Sequence, residues 1–186
     1  MATNVYFVRH AHSTYTPDER KRPLSDRGYI DAKKVTELLA DHPIEVIISS
    51  PYKRAFQTVE GLANRLGKEI KIVEEFKERT LSGEPVENFE AAIEKVWKEE
   101  RFAFPGGESN LEAQAKGVRA FKQVLDEYAG KNIVIGTHGN IMVLIMKFFN
   151  PGFDVTFWKK LDMPDIYCLT FDNGKLAGHK RIWQRD

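Results

Sequence analysis

Asn132-Ile133-Val134-Ile135-Gly136-Thr137-His138-Gly139-Asn140 decides the fold. Three consecutive β-branched apolar residues, bounded by polar residues and glycine, read as a short strand buried on both faces, the kind found in parallel sheets. The strand is expected over Asn132–Gly136, and a helix over Asn140–Phe148, where apolar residues crowd every turn. Outward from this unit the same alternation recurs. Val5–Val8, Val46–Ile48 and Ile70–Val73 read as strands, and Asp26–Leu39 and Tyr52–Leu66 as helices, the second stopped by Gly67. A further helix is expected over about Val86–Phe102, ending in the turn Pro105-Gly106-Gly107. Ser109-Asn110-Leu111-Glu112 is a capping-box signature for a helix running to about Tyr128. Two last strands, about Tyr167–Phe171 and Ala177–Ile182, bracket Asp172-Asn173-Gly174 as a hairpin. Strands alternating with helices imply an α/β fold. The expectation is a three-layer α/β/α sandwich, with a mostly parallel sheet and an antiparallel C-terminal hairpin.

The 186 residues show no repeat, low-complexity tract or linker, so a single domain over 1–186 is expected, with 79–107 as a lid. Lys and Arg total 28 against 27 Asp and Glu. That balance gives no reason to propose nucleic acid or an anionic membrane as partner. One cysteine, Cys168 in an apolar stretch, allows no intrachain disulfide and reads as a small buried hydrophobe. The apolar runs Val5–Val8 and Ile141–Met146 are too short for a signal peptide core or a bilayer span. A cytoplasmic protein is expected. The oligomeric state is not legible in the composition.

Unusual polar residues fall where strands end. Arg9-His10 follows the first strand and Ser49-Ser50-Pro51, with Arg54 beyond, the second; Glu78-Arg79 lies shortly after the third, and Thr137-His138-Gly139 follows the fourth. In open α/β sheets ligands bind outside the carboxyl ends of the strands, so these clusters can converge on one pocket. Ser50 is a candidate N-cap and Pro51 a candidate first helical residue. Arg54 would then sit in the first turn, where backbone N–H groups and a guanidinium fork make an anion site. Gly139, at the start of another helix, lets an oxygen approach the backbone, with His138 as a further donor. Arg9 and His10 would face opposite ways on a strand, and both reach one ligand only if the chain turns there.

The ordered set resembles the histidine phosphatase superfamily, which includes cofactor-dependent phosphoglycerate mutases and many small phosphatases. Val8-Arg9-His10-Ala11 is similar to its Arg-His-Gly motif, and Pro23-Leu24-Ser25-Asp26-Arg27-Gly28 to the element that follows it. Ser49-Ser50-Pro51-Tyr52-Lys53-Arg54-Ala55-Phe56-Gln57-Thr58 is similar to its Ser-Pro-x-x-Arg-Ala-x-Gln-Thr segment. Pro105–Ser109 and Thr137-His138-Gly139 complete the likeness, which spans nearly the whole chain. The resemblance implies a phosphatase acting on small phosphate esters through a phosphohistidine at His10, without metal or cofactor. Arg9, Arg54 and His138 would hold the phosphoryl oxygens, with Gly139 beside them, and Glu78 would be the acid and then the base. Glu108 is a substitute for Glu78. Three residues depart from the family: Ala11 stands for Gly, His12 for an acidic or amide residue, and Thr16 for an Asn that binds phosphate.

Rival readings attach to the same residues. His10, His12 and His138 give three imidazoles, the ligand number of open zinc sites. A phosphoglycerate mutase would need a closed, water-poor site, and the 79–107 segment is short for that. A phosphate-binding regulatory protein without turnover is the third. In the lid, Phe89, Trp97, Phe102 and Phe104 beside Lys98 and Arg101 fit either contact with a leaving group or packing on the sheet.

Overall fold

A computed structural model describes residues 1–185. The alternation read from the sequence becomes strands β1 (Ala2–Arg9), β2 (Val46–Ser49), β3 (Ile70–Ile72), β4 (Asn132–Thr137), β5 (Asp165–Asp172) and β6 (Lys175–Arg181). The helices are α1 (Asp26–Ala40), α2 (Lys53–Leu66), α3 (Phe89–Lys98), α4 (Asn110–Glu127), α5 (Gly139–Phe149) and α6 (Val155–Lys160). All six strands form one sheet in the order β3-β2-β4-β1-β5-β6. The β3–β2, β2–β4 and β4–β1 pairings are parallel, and β1–β5 and β5–β6 antiparallel. The expected α/β architecture is therefore present, hairpin included. Asn173 and Gly174, with φ of 51° and 76°, form its two-residue turn.

Alternation along the strands divides the core. Val5 and Phe7 of β1, Ile48 of β2 and Ile133 and Ile135 of β4 pack with α3, α4 and α5 around Phe121. Tyr6, Val8, Ile47 and Val134 point the other way, onto Val35 and Leu39 of α1 and Val59 and Leu62 of α2. Strands apolar on both faces are what the unbroken β-branched runs encode.

Four local expectations change. The helix expected over Val86–Phe102 covers only Phe89–Lys98, because Asn88 caps it by accepting the Ala91 N–H at 3.0 Å and the backbone leaves helical geometry at Glu99. Helix α6 was not read from the sequence; its signal is Asp154, which caps it through the Phe157 N–H at 3.0 Å, but six residues leave little periodicity. The last strand begins at Lys175, as the tight turn requires. Ser50 is not the N-cap of α2 and Pro51 is not helical: Tyr52 takes the cap position without a side-chain bond. The Ser50 hydroxyl instead accepts the Tyr52 N–H at 3.1 Å and meets His138 at 2.8 Å.

Gly136 joins sheet and helix. A Cβ there would lie 3.1 Å from the Ala55 carbonyl oxygen and 3.2 Å from Val59. Its absence lets α2 settle close to β4, which fixes where Arg54 stands. Gly136→Val should lower the unfolding free energy by about 1–3 kcal/mol, the usual cost of overpacking, read from urea denaturation.

Candidate active site

Strand register brings the clusters to one level. Val8 and Ser49 both pair with Gly136, and Arg9 pairs with Thr137. The chain then leaves the sheet: His10 N–H donates to the Thr137 carbonyl at 3.0 Å and Ser50 N–H to the Gly136 carbonyl at 2.8 Å. His10 and His138 come out side by side, ring centroids 5.1 Å apart, both buried.

His10 is held in one tautomer. Its Nδ1 lies 2.7 Å from the Ala11 carbonyl oxygen, which can only accept, so Nδ1 carries the proton and the neutral ring has its lone pair on Nε2. Arg54 Nε donates towards that Nε2 at 3.4 Å. Burial, then the Arg54 guanidinium, pushes the His10 pKa down to about 3. His138 is also driven well below its ordinary value, by burial and then by the neighbouring His10 and Arg54. Its Nε2 meets Ser50 Oγ, while the buried Nδ1 has no partner.

Two arginines complete the group. Arg54 is buried in the first turn of α2, as expected, and its remaining donors go to Glu19, Nη1 to the carbonyl and Nη2 to a carboxylate oxygen, both at 2.8 Å. Arg9 reaches the Asp162 carbonyl through Nη1 at 3.4 Å, and its buried Nε is unpaired. The room that glycine leaves at 139 is taken by Arg9 and by Trp158: a Cβ there would lie 2.9 Å from Arg9 Nε and 3.0 Å from the indole nitrogen. The indole N–H is unpaired too.

Glu78 caps α5 from outside. One carboxylate oxygen accepts the Asn140 N–H at 3.0 Å; the other accepts Ile141 at 3.0 Å and Arg79 at 2.9 Å. Burial raises its pKa, and the three N–H bonds oppose the rise. Glu78 and Arg54 line one cleft of about 620 Å³, walled by Tyr15, Arg22, Tyr52 and the 79–89 segment.

A family model of the histidine phosphatase superfamily (branch 1) matches residues 5–181. The chain belongs to this superfamily. Phosphoglycerate mutase-like protein 4 of Arabidopsis thaliana is 27% identical over 155 residues, 74% of this chain and 67% of that protein. Mycobacterial glucosyl-3-phosphoglycerate phosphatase has the same fold, with a TM-score of 0.76 at 18% identity over 98% of this chain and 99% of that one. A histidine-to-alanine variant of phosphoserine phosphatase from Entamoeba histolytica, in complex with phosphoserine, superimposes with a TM-score of 0.77 at 20% identity, covering 95% and 96% of the two chains.

Of the residues singled out from this histidine phosphatase sequence, Arg9, His10, Arg54, Glu78, His138 and Gly139 lie together. Three others are engaged elsewhere. Thr16 donates to the Asp18 carbonyl at 3.1 Å and holds Arg22 by its own carbonyl. Glu108 accepts the Thr80 N–H at 2.9 Å and pairs with Lys116 at 2.8 Å, fastening the two ends of the 79–107 segment. His12, the third imidazole of the metal reading, has its Nδ1 2.7 Å from Ser25 Oγ at the start of α1. Among the described residues no group of three or more His, Cys, Asp or Glu side chains is placed to hold a metal ion. Of the aromatics in the 79–107 segment only Phe89 lines the cleft; Trp97 is buried and donates to Asn140 at 2.9 Å, and Phe102 and Phe104 pack on each other. Glu19 and Trp158 were not read from the sequence. Each is a single residue, in a loop and in a short helix, with no spacing to mark it.

An imidazole that takes up a second proton only below about pH 3 is neutral throughout the physiological range. In NMR titrations of the unliganded protein the His10 ring resonances should therefore stay flat from pH 5 to 8. The unfolded ring titrates near 6.5 and so binds more protons than the folded one between the two values, which makes stability fall as pH drops through that window.

Proposed function

We propose that the protein is a phosphomonoesterase that works through a phosphohistidine at His10. The supporting observation is the state of that ring: Nδ1 pinned to a carbonyl, and the lone pair on Nε2, towards which Arg54 Nε donates at 3.4 Å. In the first step Nε2 forms a bond to phosphorus as the ester oxygen leaves, taking the proton of Glu78. In the second, water attacks phosphorus, the N–P bond breaks, and the water proton returns to Glu78. The proton is assigned to the Glu78 oxygen that accepts only the Asn140 N–H, since the other already accepts two. Arg9 Nε and His138 Nδ1, unpaired donors in the resting site, receive the equatorial oxygens, where the charge of the transition state is spread. For His138 this needs the tautomer protonated at Nδ1, with Ser50 donating to Nε2.

The guanidiniums supply the positive charge and the neutral imidazole N–H a further donor, so the scheme assigns no metal step. Glu78 rather than Glu108 is the proton carrier in this scheme, because Glu108 is tied to Thr80 and Lys116. Hydrolysis is favoured over mutase action because Glu78 is partly exposed on a cleft of about 620 Å³, not the closed, water-poor site a mutase needs. The relatives named as phosphatases support the same reading.

Hydrolysis of an aryl phosphate should persist in EDTA and be lost in His10→Ala; undiminished turnover in that variant would rule the scheme out. Wild-type protein quenched in turnover should carry acid-labile, base-stable phosphate, absent from His10→Ala. Glu78→Gln should slow alkyl phosphates by roughly a hundredfold or more, within the usual range for general acid catalysis. It should slow aryl phosphates with good leaving groups far less. Thermal melting of the same variant reports any loss at the start of α5, where the amide nitrogen would face a backbone N–H.

A further inference from the structure

In the resting site the phosphoryl position is already contested by an anion of the protein itself. Nε and Nη2 of an arginine point along one edge of the guanidinium, the edge that grips two oxygens of a phosphate. In Arg54 both nitrogens of that edge are already engaged: Nε faces the lone pair of His10 at 3.4 Å, and Nη2 is bonded to a carboxylate oxygen of Glu19 at 2.8 Å. A phosphorus atom in line for attack by His10 Nε2 must bring an oxygen to this same edge. Substrate and Glu19 therefore compete for it.

We propose that Glu19 is a built-in competitor for the phosphoryl subsite, which sets how tightly the protein binds phosphate. This rests on the reading of His10 and Arg54 given above. Several features fit an anion made to leave. The Glu19 side chain is 53% exposed whereas that of Arg54 is 5% exposed, so Glu19 returns to water at small desolvation cost. Its other carboxylate oxygen is 3.4 Å from Arg22, a wall residue of the cleft, which can take the charge part-way out. The backbone around it is anchored: Thr14 N–H donates to the Pro23 carbonyl at 2.9 Å and Lys53 N–H to the Arg20 carbonyl at 2.9 Å. Exchange then needs only rotation of one side chain. The Glu19 carbonyl keeps its bond to Nη1 meanwhile and holds the fork towards His10.

The neighbouring carboxylates do not share this place. Asp18 accepts the N–H groups of Arg20 and Lys21, and Glu74 pairs with Arg20 and Lys77. When phosphate arrives, the carboxylate departs; when product phosphate is to leave, the carboxylate is at hand to replace it. The resting pocket thus avoids holding Arg54 both buried and without a counter-charge.

Calorimetric titration with inorganic phosphate tests this, on the full chain and on Glu19→Gln and Glu19→Ala, with melting temperatures to confirm folding. Both variants keep the backbone carbonyl and lose the charge. A competitor predicts tighter phosphate binding in both, by roughly threefold to thirtyfold, on the scale of a partly exposed charged hydrogen bond. A fall in KM for an aryl phosphate should accompany it. Equal or weaker phosphate binding in the folded variants would show that the carboxylate only orients Arg54, and would overturn the proposal while leaving the phosphatase reading in place. If neither wild type nor variants bind phosphate, and Arg54→Ala changes nothing, the phosphoryl site itself is misassigned and both fall.

Discussion

Val8 and Ser49 lie on either side of Gly136 and pair with it from opposite edges of β4. This one row of the ladder levels three chain ends, so that His10, Ser50 and His138 leave the sheet together. Parallel pairing makes such convergence possible, since neighbouring strands end on the same side of the sheet. The missing Cβ at 136 then lets α2 pack close, and Arg54 arrives at the same height as the histidines. A shift of one residue in either pairing would reverse the faces of the strand and scatter the group. The chemistry of the site depends on register before it depends on any side chain.

Electrostatics follows from that packing. Two imidazoles and two guanidiniums are drawn into one buried corner, and a buried charge is costly unless compensated. The protein settles this by leaving the imidazoles neutral, their pKa values depressed by burial and by the arginines. Several buried polar atoms there have no partner, among them Arg9 Nε, His138 Nδ1 and Trp158 Nε1. Orphaned donors are costly in a folded protein. On the phosphohistidine scheme proposed above they are donors whose bonds a phosphoryl group would complete, which is how a site can be preorganised for charge that develops only during reaction.

Much of this was legible in the sequence because it is periodic or local. The β-branched runs at 46–48 and 133–135 and the capping box at Ser109 depend on neighbours a few residues away, and they appear where expected. The position of Arg54 in its helix was legible for the same reason, although the cap was misread. Ser50 looks like a cap by its chemistry, but a contact 88 residues distant, to His138, governs where its hydroxyl points. Glu19 was not legible at all. It sits in a loop among other charges, and only the fold shows which of the carboxylates at 18, 19 and 74 faces Arg54. Long-range pairing of this kind leaves no spacing to read.

The antiparallel half of the sheet, which supplies none of the residues assigned to chemistry, nevertheless governs one of them. Arg9 pairs across the ladder with Asp165, which is fully buried and grips Arg181 of β6 with two bonds of 3.0 Å. Asp165 also accepts the Asp162 N–H at 2.8 Å, and the carbonyl of Asp162 receives Arg9. The Asp162 carboxylate is in turn held at 2.9 Å by the Trp183 indole and by Arg185, which reaches on to Asp31 of α1 at 3.3 Å. A chain of charged hydrogen bonds thus runs from α1 through the last residues of the described chain to the arginine beside His10. Pairs of this kind, with the arginines 44–45% exposed, contribute little net stability, because solvent screens their attraction and desolvation of the carboxylates offsets it. What the network supplies is direction: it fixes Arg9, whose long side chain would otherwise sample many rotamers, against the small space that Gly139 leaves open.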